Sequence, residues 1–192
     1  MIEKSHWENI EVGDVNAYSE VFLFYYKKLY NYGRKFTEDT SMIEDAIEDV
    51  FSMIWMNRQK LSAISSPQND LFSSFRNSVF KKLKLQRKML LSSVSEGKED
   101  IEFSIESIII TREVDSQLQI RIEKAISKLT SRQREAIFLR FYEGLSYQEI
   151  AAIMEISVKG SYKLLARALT ELKEVLGIPI IVLFTYFTKL AL

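Results

Sequence analysis

Apolar side chains recur every three or four residues along almost the whole chain, and little interrupts them: two prolines and six glycines are spread over 192 residues. That period is the pitch of an α-helix, and the strict alternation of a half-buried strand is missing. The chain is expected to be all-α. Asp14 is placed to cap a helix whose apolar stripe runs Tyr18, Val21, Phe22, Tyr25, Leu29, Tyr32, Phe36, and Ser41 with Glu44 has the spacing of a capping box for a second, with Ile43, Ile47, Val50, Phe51, Ile54 and Trp55 inward. A loop-like run, 62–69, precedes a third long helix starting at Asn69 or Asp70, with Leu71, Phe72, Phe75, Val79 and Leu83 on one side.

From 92 to 113 the sequence turns polar and acidic, and it reads as a linker between two helical domains, 1–91 and 114–177, followed by an apolar tail, 178–192. Beyond the linker, Gln117 to Leu129 is periodic, Thr130 with Gln133 and Ser146 with Glu149 make capping boxes, Gly144 stops one helix, and Ser157 starts another that Gly177 closes. Four helices result, the last two joined by the short turn 155–157. Ala151, Ala152, Ile156, Leu164, Leu165 and Ala168 are the small and apolar residues expected between them. This is the pattern of a helix-turn-helix, whose second helix enters the major groove of DNA.

The formal net charge is zero, but the charges are segregated. Between Thr37 and Phe51 stand six acids and no base, and between Arg76 and Lys88 six bases and no acid. Two oppositely charged helix faces suit two different macromolecular partners. With no cysteine and a single histidine, His6, the chain has no disulfide framework and no thiolate site, and we expect neither a metal nor a cofactor. Glu44 and Glu48 could hold Mg²⁺, but no phosphate-cradling glycine loop accompanies them, so an enzyme is not expected. The N-terminus lacks a basic start followed by an apolar core, and the tail has 15 residues with Lys189 among them, short of the roughly 20 a spanning helix needs. A cytoplasmic protein without stable membrane insertion is the expectation.

Three blocks, taken in order, resemble the extracytoplasmic-function sigma factors of bacterial RNA polymerase. "IEDAIEDVFSMIW" (43–55) looks like the helix those proteins present to the polymerase clamp, "LFSSFRNSVFKKLK" (71–84) like their −10-reading helix, and 129–172 like their −35-reading domain. The resemblance implies a non-enzymatic initiation factor with core RNA polymerase and promoter DNA as partners, an anti-sigma factor as an optional further one, and no small-molecule substrate. It implies polymerase contacts at Glu44, Asp45, Glu48 and Asp49. It implies −10 contacts at Arg76, Asn77, Lys81, Lys84, Arg87 and Lys88, and −35 contacts at Ser146, Tyr147, Lys159, Ser161, Tyr162, Lys163 and Arg167. It also places a pocket for a flipped base in the loop 62–69, where no residue matches a pattern.

The sequence departs from the family at "SVKGS" (157–161), where members usually carry "SVKTV". Gly160 and Ser161 should weaken the recognition helix, so Gly160→Ala is expected to stabilise it. The alternative reading is a helix-turn-helix regulator whose N-terminal half senses or dimerises.

Overall fold

In the computed structural model, which describes residues 2–63, 66–90, 101–104 and 116–177, helices and turns account for nearly everything, and no strand occurs among the described residues. The chain divides into two compact units, 1–99 and 100–192. The all-α expectation holds.

The N-terminal unit contains α1 (Lys4–Glu11), α2 (Val15–Gly33), α3 (Thr40–Met56), a 3-10 turn (Arg58–Ala63) and α4 (Pro67–Leu90). The Asp14 carboxylate caps α2, accepting from the N–H groups of Asn16 and Ala17 at 2.8 and 3.2 Å. From that start Val21, Tyr25, Leu29 and Tyr32 fall on one buried stripe. It meets Ile43, Ile47, Val50 and Phe51 of α3 and Leu71, Phe72, Phe75 and Val79 of α4, all buried. Stripes on three helices thus make one core, as their 3.6-residue period requires.

Three local starts differ from the sequence reading. Asp39, not Ser41, caps α3: its carboxylate accepts from Met42 N–H at 3.0 Å, and Ser41 lies exposed inside the helix. A carboxylate two residues earlier is the better cap because it also meets the positive end of the helix dipole. α4 begins at Pro67, ahead of Asn69, since a proline in the first helical position loses no hydrogen bond there. Helix α1 was not foreseen at all. It buries Trp7 and Ile10 against α2 and the 3-10 turn, with the Trp7 ring 6.1 Å from that of Tyr25. His6 is correspondingly not a loose terminal residue. Its Nδ1 accepts from Glu3 N–H at 3.2 Å, which leaves the proton on Nε2, 3.3 Å from the Glu20 carboxylate.

Gly33 shows how closely α2, α3 and α4 approach. A Cβ built there would meet Ile43 Cγ2 at 2.8 Å and Phe75 Cζ at 3.0 Å. Gly33→Ala is therefore expected to cost about 1–3 kcal/mol through overpacking, despite alanine's better helix propensity. Urea unfolding of the full chain followed by Trp7 and Trp55 fluorescence checks it; an unchanged midpoint contradicts the close approach.

The C-terminal unit contains α5 (Ser116–Ser127), α6 (Ser131–Ile137) extended by a π turn (Phe138–Tyr142), α7 (Tyr147–Ile153) and α8 (Val158–Leu176). Both expected capping boxes form, Thr130 with Gln133 and Ser146 with Glu149, and Ser157 caps α8 by accepting from Gly160 N–H at 3.0 Å. Gly144 and Gly177 have φ of 73° and 64°, the left-handed conformation that ends a helix without steric cost. α5, α6 and α7 all pack on α8. Arg121 of α5 donates to the last carbonyl of α8, at Leu176.

Of the stretch read as linker, only 101–104 is described. Phe103 is 1 % exposed, with its ring 5.8 Å from Phe138 and tilted 59° to it, so this piece is packed into the C-terminal unit. The rest of that stretch and the apolar tail lie outside the described residues.

Candidate nucleic-acid and polymerase interface

The acidic residues of α3 form one outward stripe. Glu44, Asp45, Glu48 and Asp49 are all exposed, opposite the buried Ile43, Ile47 and Val50. Glu44 accepts from the Tyr26 hydroxyl at 3.2 Å. Desolvation first, then the charge of Glu44, pushes the Tyr26 phenol up, so it stays a donor. Asp45 and Glu48 make no hydrogen bond or ion pair with the described residues. Trp55 backs the end of the stripe, its ring 5.0 Å from Tyr18 and with the Arg58 guanidinium 4.8 Å from its centroid.

On α4, Asn77, Lys81, Lys84 and Lys88 are exposed and follow one another at steps of four, three and four, a single helical face. The three lysines make no ion pair with the described residues. Arg87 is half-buried and engaged with other groups. Arg76 departs from the sequence reading. It is 7 % exposed, and its guanidinium sits 4.0 Å from the centre of the Phe80 ring, so it supports the helix from inside and is withdrawn from the DNA-contact set. Its place in the sequence, one residue from the buried Phe75 stripe, explains this.

The acidic and basic faces do meet, at Asp49. Lys82, absent from the sequence-derived set, bonds Asp49 across α3 and α4 at 2.9 Å. The pair is partly exposed and worth at most about 1 kcal/mol. It leaves Asp45, Glu48, Lys81, Lys84 and Lys88 unneutralised, so both faces remain available.

A cavity of about 370 Å³ lies between α1, α3, the 3-10 turn and the start of α4. Trp7, Val50, Met53, Ile54, Leu61 and Leu71 give it apolar walls, and Asn57, Lys60, Asp70 and Ser74 supply polar groups. No residue pattern in the sequence marked its lining, because its walls come from four separate segments.

In the helix-turn-helix, the turn passes through Glu155 at φ 53°, and Ile156 N–H returns to Ala151 O at 2.9 Å. Ala151, Leu165 and Ala168 are buried between the helices, whereas Ala152 is exposed. Ser161 also departs from expectation. It is fully buried, and its single O–H is shared between the carbonyls of Val158 at 2.8 Å and Tyr147 at 2.9 Å. It ties α8 to the first residue of α7 and does not face DNA, so an interhelical hydrogen bond offsets the apolar packing that a valine would supply. Gly160 is less open to alanine than the sequence suggested. The added Cβ would stand 3.1 Å from the Ser157 hydroxyl that caps the helix, which opposes the gain in propensity. Ser146 is occupied as a cap.

What remains on the outer face of α8 is Lys159, Tyr162, Lys163 and Arg167, all exposed, the three cations unpaired among the described residues. Tyr147, half-buried, stacks on Tyr162 with ring centres 3.9 Å apart and planes 15° from parallel. Among the described residues no group of carboxylates or histidines could hold a metal ion, and no helix is long and apolar enough to cross a membrane.

Comparison with known proteins agrees with this geometry. Residues 119–172 match the family model for sigma-70, region 4. No curated protein matches the sequence significantly. Among solved structures, CnrH in complex with the cytosolic domain of CnrY is 19 % identical, with a TM-score of 0.57 over 90 % of this chain and 95 % of that one. The sigma factor RpoE, in complex with the anti-sigma factor NepR from Bartonella quintana, is 22 % identical, with a TM-score of 0.58 over 85 % of this chain and 99 % of that one. At such identities the structural likeness speaks for the fold, and the domain match speaks for the helix-turn-helix. Residues 119–172 thus form a sigma-70 region 4 domain, and the chain as a whole shares its fold with RpoE.

Proposed function

We propose that the chain is an extracytoplasmic-function type initiation factor that joins core RNA polymerase and directs it to promoters. The observation that carries this reading is the free cationic face of α8, Lys159, Lys163 and Arg167, on the second helix of the helix-turn-helix within the stretch similar to sigma-70 region 4. Three unpaired cations there can neutralise phosphates while their neighbours reach base edges.

The N-terminal unit supplies the other two contacts. The acidic stripe of α3, centred on Asp45 and Glu48 and flanked by Glu44 and Asp49, suits a basic element of the polymerase, where complementary charge speeds encounter and sets register. The α4 face of Asn77, Lys81, Lys84 and Lys88 suits the opened −10 strand, with Arg87 at its margin. The cavity beside the loop is the seat we assign to an extruded base, since it joins apolar walls to a few polar groups. Extrusion costs a few kcal/mol, which contacts made only with the opened strand would offset. NepR is an anti-sigma factor, and a regulator of that kind is a further partner we assign to this chain. Catalysis rests with the polymerase.

Run-off transcription with purified core polymerase and genomic fragments tests the proposal: discrete start sites are expected with the chain and none without it. A conventional regulator would bind DNA without binding core. Replacing Lys81, Lys84 and Lys88 by alanine is expected to lower the slope of log affinity against log salt for a −10 single strand by about 2, at roughly 0.7 per phosphate contact, with the −35 footprint kept. An unchanged slope would place the strand elsewhere.

A further inference from the structure

The outer end of α8 is braced in a way the region 4 match does not account for. Arg140, in the π turn after α6, donates through Nη1 to Leu145 O at 2.8 Å, which fixes its plane. Its guanidinium lies 5.1 Å from the Tyr147 ring centre, and Tyr147 in turn stacks on Tyr162 at 3.9 Å. Three planar groups from three successive elements therefore form one column. The column ends at Tyr162, which is 49 % exposed between Lys159 and Lys163. The Tyr162 hydroxyl makes no hydrogen bond among the described residues.

A tyrosine on an exposed helix face normally samples several rotamers, and a freely moving hydroxyl cannot discriminate between bases. Here one face of the ring is covered, so its motion is restricted and its outer edge is held in register with the cations that meet phosphate. A preorganised hydroxyl can donate to a purine N7 or O6 or a thymine O4, or accept from an exocyclic amine, at one base-pair position.

We propose that Tyr162 is a specificity-determining residue for one base pair of the −35 element, acting through its hydroxyl, and that Arg140 is a positioning residue that holds it there through Tyr147. This rests on the promoter-binding reading above and adds to it which residue discriminates and what supports that residue. The bracing also separates two roles on one helix. Lys159, Lys163 and Arg167 supply affinity for any sequence, and Tyr162 supplies preference.

The test uses the full chain with core RNA polymerase on a promoter found by run-off transcription, with each −35 base pair substituted in turn. Tyr162→Phe is expected to reduce discrimination about 5-fold or more at one base pair, the worth of one hydrogen bond, and to leave the other positions as they were. Arg140→Lys keeps the charge but loses the plane, and it should weaken preference at that same pair. Tyr147→Leu should do likewise, and the double variants with Tyr162→Phe should add nothing further. Lys163→Ala should weaken every sequence alike. Preference retained throughout in Tyr162→Phe overturns the role of Tyr162. Uniform weakening in both Arg140→Lys and Tyr147→Leu, with preference intact, reduces the column to a structural brace and overturns the positioning role. If the wild-type chain initiates nowhere, the promoter-binding reading falls and takes this one with it.

Discussion

Phe103→Ala is expected to remove about 3–5 kcal/mol from the C-terminal unit, the usual loss for deleting a buried phenyl ring. Set against a whole-domain stability of about 5–15 kcal/mol, that is a large fraction. The ring is 1 % exposed beside Phe138, which also stacks on Tyr142, so its removal opens a cavity against the π turn that carries Arg140. The two tryptophans of the chain, Trp7 and Trp55, both lie in the N-terminal unit. Their fluorescence therefore reports that unit, while helical circular dichroism reports both. In Phe103→Ala the dichroism transition should split, its early part from the C-terminal unit, with the fluorescence midpoint held. Phe103→Leu should lose no more than about 1.5 kcal/mol, because a branched apolar side chain still fills most of the site. A dichroism curve identical to wild type would mean that the ring contributes nothing.

The second large effect is on polymerase binding. Reversing both Asp45 and Glu48 to lysine is expected to weaken association with core polymerase by about 100-fold or more, taking roughly 1.5 kcal/mol for each close charge pair removed. Both residues are exposed and free of ion pairs among the described residues, so the melting curve should hardly move. Competition between labelled wild-type chain and the variant for core enzyme measures the loss, which should shrink as salt is raised. Asp49→Lys gives a contrast. It breaks the bond to Lys82 and places two bases together across α3 and α4, so it should lower stability by up to about 1 kcal/mol as well as binding. Equal core affinity in the double reversal would move the polymerase contact off α3.

Much of the fold was readable because helices announce themselves locally. The apolar period along 18–32, 43–51 and 71–83 marked the buried faces, and the capping pairs Thr130–Gln133 and Ser146–Glu149 formed where their spacing put them. The candidate site was readable to the extent that charge runs were. Asn77, Lys81, Lys84 and Lys88 came out on one face because their spacing is itself helical. Arg76 did not, since a residue beside an apolar stripe can snorkel inward, and here it packs on the Phe80 ring. Ser161 was misjudged for a related reason. A serine in a recognition helix looks like a polar contact, and nothing local to it reveals a carbonyl from position 147 within reach of its hydroxyl.

Sequence alone therefore determined the helical class, the order of the helices after α1, most of their capping, and the separation of acidic from basic faces. Those properties depend on neighbours within a turn or two of the chain. Tertiary structure alone decided the seat of Phe103, the burial of Arg76 and Ser161, the Asp49–Lys82 contact, the cavity beneath α1, and the column from Arg140 to Tyr162. Apart from Arg76 on Phe80, each of these brings together groups separated by many residues, and their meeting depends on how closely whole helices pack, which local periodicity leaves open.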